Sequence, residues 1–181
     1  DFTPVGKDGY HRFTGIFDGG GHTISNLSVN IDGNDYAGLF GQNSGSIRNI
    51  VLEDAGIIAT SIAGGIAGHN AGTITGCNVT GGTVTANDNA GGIAGQNYGT
   101  ITGCNVAEGT VMADDQAGGI AGYNASSRTI TGCIVTRGTV TANNQYAGGI
   151  VGNNNMGTIT GCIAAPEKVK GKRPAGICAG Y

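Results

Sequence analysis

A short block of glycine and apolar residues recurs along this chain at an almost fixed interval. AGLFG at Ala37 returns as AGGIAG at Ala63, Ala90 and Ala117, as AGGIVG at Ala147 and as AGICAG at Ala175. The apolar centres Leu39, Ile66, Ile93, Ile120 and Ile150 lie 27, 27, 27 and 30 residues apart, and Ile177 follows 27 residues later. A unit of this length cannot bury its apolar side alone, so the copies must stack and share one continuous core.

A second block follows each of the first five copies: GSIRNI from Gly45, GTITGC from Gly72 and Gly99, RTITGC from Arg128 and GTITGC from Gly157, with HTISNL from His22 read as an earlier copy. Alignment gives inward ladders. One runs Ile24, Ile47, Ile74, Ile101, Ile130, Ile159, the next Leu27, Ile50, Cys77, Cys104, Cys133, Cys162. A third runs Val29, Leu52, Val79, Val106, Val135, Ala164, and a fourth Ile58, Val84, Val111, Val140, Val169. Each coil then holds three short strand-like pieces separated by Gly, Asn and Asp, and no stretch sustains a helical period.

The expected fold is all-β: a right-handed parallel β-helix, or β-solenoid, of about six to seven coils of ~27 residues, with its hand taken from the chirality of parallel connections. Residues 1–22 are expected to cap the first coil and lead into it, 23–164 to form the stacked repeats, and 165–181 to add a polar insert and a partial last repeat. Phe2, Tyr10, Phe13 and Phe17 supply the capping aromatics. The two residues inserted around Ala125 to Arg128 predict a protruding loop.

Composition closes several doors. Glycine numbers 37 and proline 3, without a Gly-X-Y period, which excludes collagen. The net charge is −3 with 12% charged residues, so no nucleic-acid footprint is present, and the basic cluster Lys168 to Arg173 reads as a solvated face or an edge guard. No apolar run approaches a membrane span, and no membrane insertion is expected. The cysteines Cys77, Cys104, Cys133 and Cys162 recur once per coil where earlier copies hold Leu27 and Ile50, marking an inward apolar position. Close CxxC pairs with partner histidines are missing, so neither a metal nor any other cofactor is expected. Cys178 stands out of register and is the one cysteine expected to seek a bond, with Cys162 as partner.

No nucleophile, base and acid recur at one height, and no catalytic residues are expected. Asp18 and His22 flank three glycines in FDGGGHT and read as a turn rather than as a catalytic pair. The stronger surface signal is a threonine on each side of the inward isoleucine: Thr73/Thr75, Thr100/Thr102, Thr129/Thr131 and Thr158/Thr160. Strand alternation points both outward and makes two columns on one flat face, extended by Thr23/Ser25 and interrupted at Ser46/Arg48. Thr83/Thr85, Thr110/Met112 and Thr139/Thr141 form a less regular second set. Sequons occur at Asn26, Asn78 and Asn124.

The opening FTPVG, the stretch from Phe13 to Leu27, AGLFG and the later GGI[AV]G blocks resemble the GLUG-motif family of bacterial surface proteins. The family's Asn before the inward Cys is kept at Asn26 and Asn49 and replaced by Gly76, Gly103, Gly132 and Gly161. That resemblance implies an extracellular or cell-surface bacterial module. Three readings follow. The first is a non-enzymatic adhesive or spacer module whose partners are neighbouring domains of a longer chain, or host or matrix glycans and proteins. The second is a subunit that stacks on itself head to tail into a filament through an edge at Ile177, Cys178 and Tyr181. The third is an ice-binding protein using the Thr-X-Thr face.

Overall fold

The computed structural model describes every residue except 1, 8, 9, 34, 35, 174, 175, 177 and 179–181. The chain winds as a parallel β-solenoid of about six turns, each advancing by ~27 residues so that every strand lies beside its counterpart in the next coil. Every pairing between its named strands is parallel; Thr73, Ile74 and Thr75, for example, stand opposite Thr100, Ile101 and Thr102.

Five walls result, where three strand-like pieces per coil were expected. In the coil that starts at Ser46, they are Ser46–Arg48 (first wall), Val51–Glu53 (second), Gly56–Ala59 (third), Ile62–Gly64 (fourth) and Ala67–Asn70 (fifth). Among the described residues the walls carry six, six, six, five and five strands. The fourth and fifth are built from the AGGIAG blocks, whose Ala and Gly lack the apolar and polar alternation that betrays a strand.

The core is a set of stacked columns. Ile47, Ile74, Ile101 and Ile130 fill the first wall's interior, and Leu52, Val79, Val106 and Val135 the second's. The third is filled by Ile57, Val84, Val111 and Val140, which corrects the assignment of Ile58: Ile57 is sealed at 0% exposure and Ile58 faces out at 49%. Both residues are apolar, so composition could not choose between them.

The first coil is also displaced from the expected alignment. Thr23, Ile24 and Ser25 lie against Val51, Leu52 and Glu53 of the second wall, because Ile16–Asp18 already occupies the first and sets Phe17 on Ile47. Val29 accordingly stacks on Ile57, and the Leu27 carbonyl accepts from Gly56 N, one corner beyond the cysteine column. Thr23 and Ser25 therefore do not extend the threonine face. Phe13 and Phe17 pack on Phe40 with ring centroids 5.0 and 5.5 Å away, whereas Tyr10 is 97% exposed.

Corners between walls need left-handed backbone. Asn49, Gly76, Gly103, Gly132 and Gly161 make the corner from first to second wall with φ between 55° and 62°. Asn26, Asp54, Gly81, Glu108 and Arg137 make the next. Asparagine and glycine tolerate that region best, which explains why they exchange at the first corner. A column of Asn43, Asn70, Asn97, Asn124 and Asn154, buried except at its last member and unremarked in the sequence, links successive strands of the fifth wall through amide-to-amide bonds of 2.8 or 2.9 Å.

Candidate functional site

Two surfaces carry chemistry that the core does not use. The first spans the first three walls of the middle coils. Thr73, Thr100, Thr129 and Thr158 stand in one register column, and Thr75, Thr102, Thr131 and Thr160 in another. Between them Ile74, Ile101 and Ile130 point into the core at 0% exposure, with Ile159 half-buried at the last coil. The Thr side chains are fully or partly exposed, one step per coil at ~4.8 Å. The strands of the second and third walls beside them read NVT, NVA, IVT and TVTA, TVMA, TVTA, without a charged residue. Glu108 and Arg137 sit on the corner between the second and third walls and pair with each other, and the exposed Arg128 directly precedes Thr129. On the preceding coil Ser46 and Arg48 end the columns, and Arg48 Nε donates to Asp18 at 2.9 Å.

The second surface is the seam where the fourth and fifth walls pack on each other, and sequence reasoning missed it. Outward residues of the fourth wall run Tyr36, Ile62, Asn89, Gln116, Tyr146. Those of the fifth run Gln42, His69, Gln96, Tyr123, Asn153. The two columns touch across the corner. Gln96 Nε2 donates to Asn89 Oδ1 at 2.6 Å, and the Tyr36 and His69 rings meet at 5.3 Å. Glycine on the fifth wall permits this approach, since a Cβ on Gly95 would lie 2.5 Å from Ile62 Cγ2. His69 stacks on Tyr98 at 5.0 Å and 17°, and Tyr98 leans on Tyr123 at 5.9 Å. Burial, with Arg12 nearby, holds the His69 imidazole below the usual histidine range, and burial raises the Tyr98 phenol.

The remaining candidates resolve individually. Asp18 Oδ1 accepts from Gly20 N and Asn49 Nδ2, each at 3.0 Å, which with Arg48 holds its carboxyl below the ordinary range. His22 enters that turn through its backbone N–H, which donates to Gly19 O. Cys77, Cys104 and Cys133 are buried, Cys162 is half-buried, and all four are free thiols. Cys178 is a free thiol as well and lies outside the cysteine column, at the position of Ile150: its carbonyl accepts from Ile150 N and Val151 N, as Ile150's accepts from Ile120 N and Ala121 N in the coil before. The sequence puts Ile177 there; Ile177 and Tyr181 lie outside the described residues. The sequon at Asn124 is sealed in the amide column. Ser126, Ser127 and Arg128 form the exposed loop expected from the insertion. Among the described residues no three His, Cys, Asp or Glu side chains converge as metal ligands, and no helix is long and apolar enough to cross a membrane.

No family model matches the chain. A stretch of 60 residues, 31% of the chain, is 43% identical to halomucin of Haloquadratum walsbyi, of which it spans only 1%. In three dimensions the chain resembles a Bacteroides ovatus protein that carries the provisional name immunoglobulin A1 protease, with a TM-score of 0.79 and 25% identity. That likeness covers 99% of this chain and 60% of the other. The chain thus spans less than two thirds of each of these two proteins, and what the Bacteroides structure shares with it is the β-solenoid architecture.

Proposed function

We propose that this chain is a non-enzymatic structural and adhesive β-solenoid module of a secreted or cell-surface bacterial protein. The observation that carries the reading is the run of charge-free strands on three adjoining walls of the middle coils, which present mainly short threonine, asparagine and alanine side chains. Such side chains lose little rotamer freedom on contact, so a flat partner is met at low entropic cost. The GLUG-like motifs and the likeness to a halomucin segment and to the Bacteroides protein support placement outside the cell. Its partners are matrix or host glycans and proteins, or neighbouring domains of a longer chain. Beads coated with the chain are expected to be retained on at least one of mucin, collagen or polysaccharide films. Release from all of them, or hydrolase activity abolished by Asp18→Asn or His22→Gln, would overturn the proposal.

The register of the threonine columns favours ice binding as the second reading. An array with a hydroxyl and a methyl at each step can order water into a lattice-like layer. Thermal hysteresis that vanishes in the double variant Thr100→Tyr and Thr102→Tyr is its test. Self-assembly ranks below both, because Lys168 and Lys170 flank Val169 on the last strand of the third wall, a pattern that discourages edge pairing.

A further inference from the structure

We propose that Tyr98 and Tyr123 form an oxidative cross-linking site. A one-electron oxidant of the haem peroxidase class, supplied with hydrogen peroxide, joins the two rings carbon to carbon and ties one coil to the next. The inference stands apart from the adhesive reading above and does not depend on it.

Three observations carry it. The first is contact. The two rings meet with centroids 5.9 Å apart and planes at 43°, inside the roughly 4.5–7 Å range of touching aromatic pairs. The second is fixed placement. Tyr123 lies on the strand Ala121–Asn124, whose register sets Tyr123 and Asn124 opposite Gln96 and Asn97. The Tyr98 N–H donates to Asn70 O at 2.7 Å and the Ala125 N–H to Asn97 O at 2.9 Å, so the backbone at both rings is tied to a neighbouring coil. The side chains are held as well: His69 stacks on Tyr98 at 5.0 Å and 17°, and Asn155 Nδ2 donates to the Tyr123 hydroxyl at 2.8 Å. The third is access. Tyr98 is 39% exposed and Tyr123 is partly exposed, so an oxidant in solution reaches the pair. By contrast, Tyr36 meets His69, and Tyr146 meets the Arg173 guanidinium 5.6 Å from its ring centroid. A cation over a ring opposes removal of an electron from it.

The chemistry balances. Each phenol gives one electron to the oxidant and one proton to water, which leaves a phenoxyl radical with unpaired density on the carbons beside the oxygen-bearing one. One such carbon of each ring bonds to its counterpart, and the hydrogens on those two carbons move to the oxygens as the rings regain aromaticity. The product lacks two hydrogen atoms, and hydrogen peroxide, taking up two electrons and two protons, becomes two molecules of water. Radicals held side by side couple within the chain faster than they meet a second molecule. The link closes a loop between positions 98 and 123, which removes conformations from the unfolded chain as a disulfide does.

The test treats the whole chain with a haem peroxidase and a limiting amount of peroxide, then isolates the monomer. Cleavage after glutamate and arginine places Tyr98 in peptide 54–108 and Tyr123 in peptide 109–128, each with no other tyrosine. The monomer is expected to gain the blue fluorescence of coupled phenols, and mass spectrometry to find these two peptides joined with the loss of two hydrogens. Its melting temperature should rise by about 5–10 °C. Tyr98→Phe and Tyr123→Phe keep the ring packing and should each abolish the joined peptides and the rise, whereas Tyr146→Phe should leave both unchanged. Absence of the joined peptides from the parent monomer, including the case where coupling runs only between molecules through Tyr10, would overturn the inference. So would their persistence in either phenylalanine variant, or an unchanged melting temperature in the linked parent.

Discussion

Asn70 donates from Nδ2 to Oδ1 of Asn97 at 2.9 Å, inside the protein and one coil away. Asn97 in turn donates to Asn124 at 2.8 Å, and each side chain is fully buried. A buried amide is tolerated only when its polar atoms are met, and here each copy of the repeat meets the next. Asn97→Leu keeps the volume but strips a partner from both neighbours. The expected loss is about 2–4 kcal/mol, since a buried polar group left unpaired costs roughly 1–3 kcal/mol. Urea denaturation followed by circular dichroism measures it. A loss within experimental error would show that the column contributes nothing to stability.

Two glycines separate two reasons for glycine. Gly103 has φ +61°, and a Cβ added to it would meet nothing within 4 Å, so its constraint is backbone conformation alone. Gly91 has no positive φ, yet a Cβ there would lie 1.9 Å from Ala94 O and 2.8 Å from Ala121 Cα. Gly103→Ala is expected to cost about 1 kcal/mol, and Gly103→Asn less, because Asn49 already holds that corner in an earlier coil. Gly91→Ala forces backbone against backbone and is expected to cost more than about 3 kcal/mol or to prevent folding. Thermal melts of the three variants give the order directly, and Gly91→Ala melting like Gly103→Ala would refute the distinction.

The period, the parallel stacking and the inward isoleucines were legible because a ladder repeats its own chemistry. Ile74, Ile101 and Ile130 each sit between two threonines, and that alternation leaves one choice of face. Where the pattern was doubly apolar, as at Ile57 and Ile58, or where two segments competed for one wall, as with Ile16–Asp18 and Thr23–Ser25, alignment alone chose wrongly. The asparagine column was hidden because asparagine is also a common loop residue. The row of aromatic rings was hidden for a different reason: Tyr36 lies on the fourth wall, His69 and Tyr123 on the fifth, and Tyr98 just beyond it. Nothing in their spacing announces that a corner folds inward and brings them together.

The cysteines give a third prediction. Cys77, Cys104 and Cys133 are buried, Cys162 is half-buried and Cys178 is exposed, all as free thiols. With a chromogenic thiol reagent the folded chain should show one fast thiol, one intermediate and three slow, and all five should react quickly in denaturant. Cys178→Ser should remove the fast phase alone. Cys104→Val should unfold within about 1 kcal/mol of the parent, since the buried thiol acts as a small hydrophobe. An early reaction at Cys104 in the folded state would mean that the coils open far more readily than their pairing implies.

His69 sets the acid side of stability. Its imidazole lies between Tyr36 and Tyr98, and burial, reinforced by Arg12, depresses its pKa in the folded chain below the ordinary 6.5. The neutral ring is therefore favoured by folding, and between the two pKa values the unfolded chain binds more protons. This contribution is complete above pH 6.5 and is lost as pH falls through that value toward the lower, folded one. Gln42 and Gln96 hold the same column position one coil to either side, so His69→Gln keeps a shape the wall already accommodates. Urea midpoints measured from pH 7.5 down to 5 should fall for the parent and fall less for His69→Gln. Parallel curves would assign the acid sensitivity to other groups and leave His69 as a packing residue only.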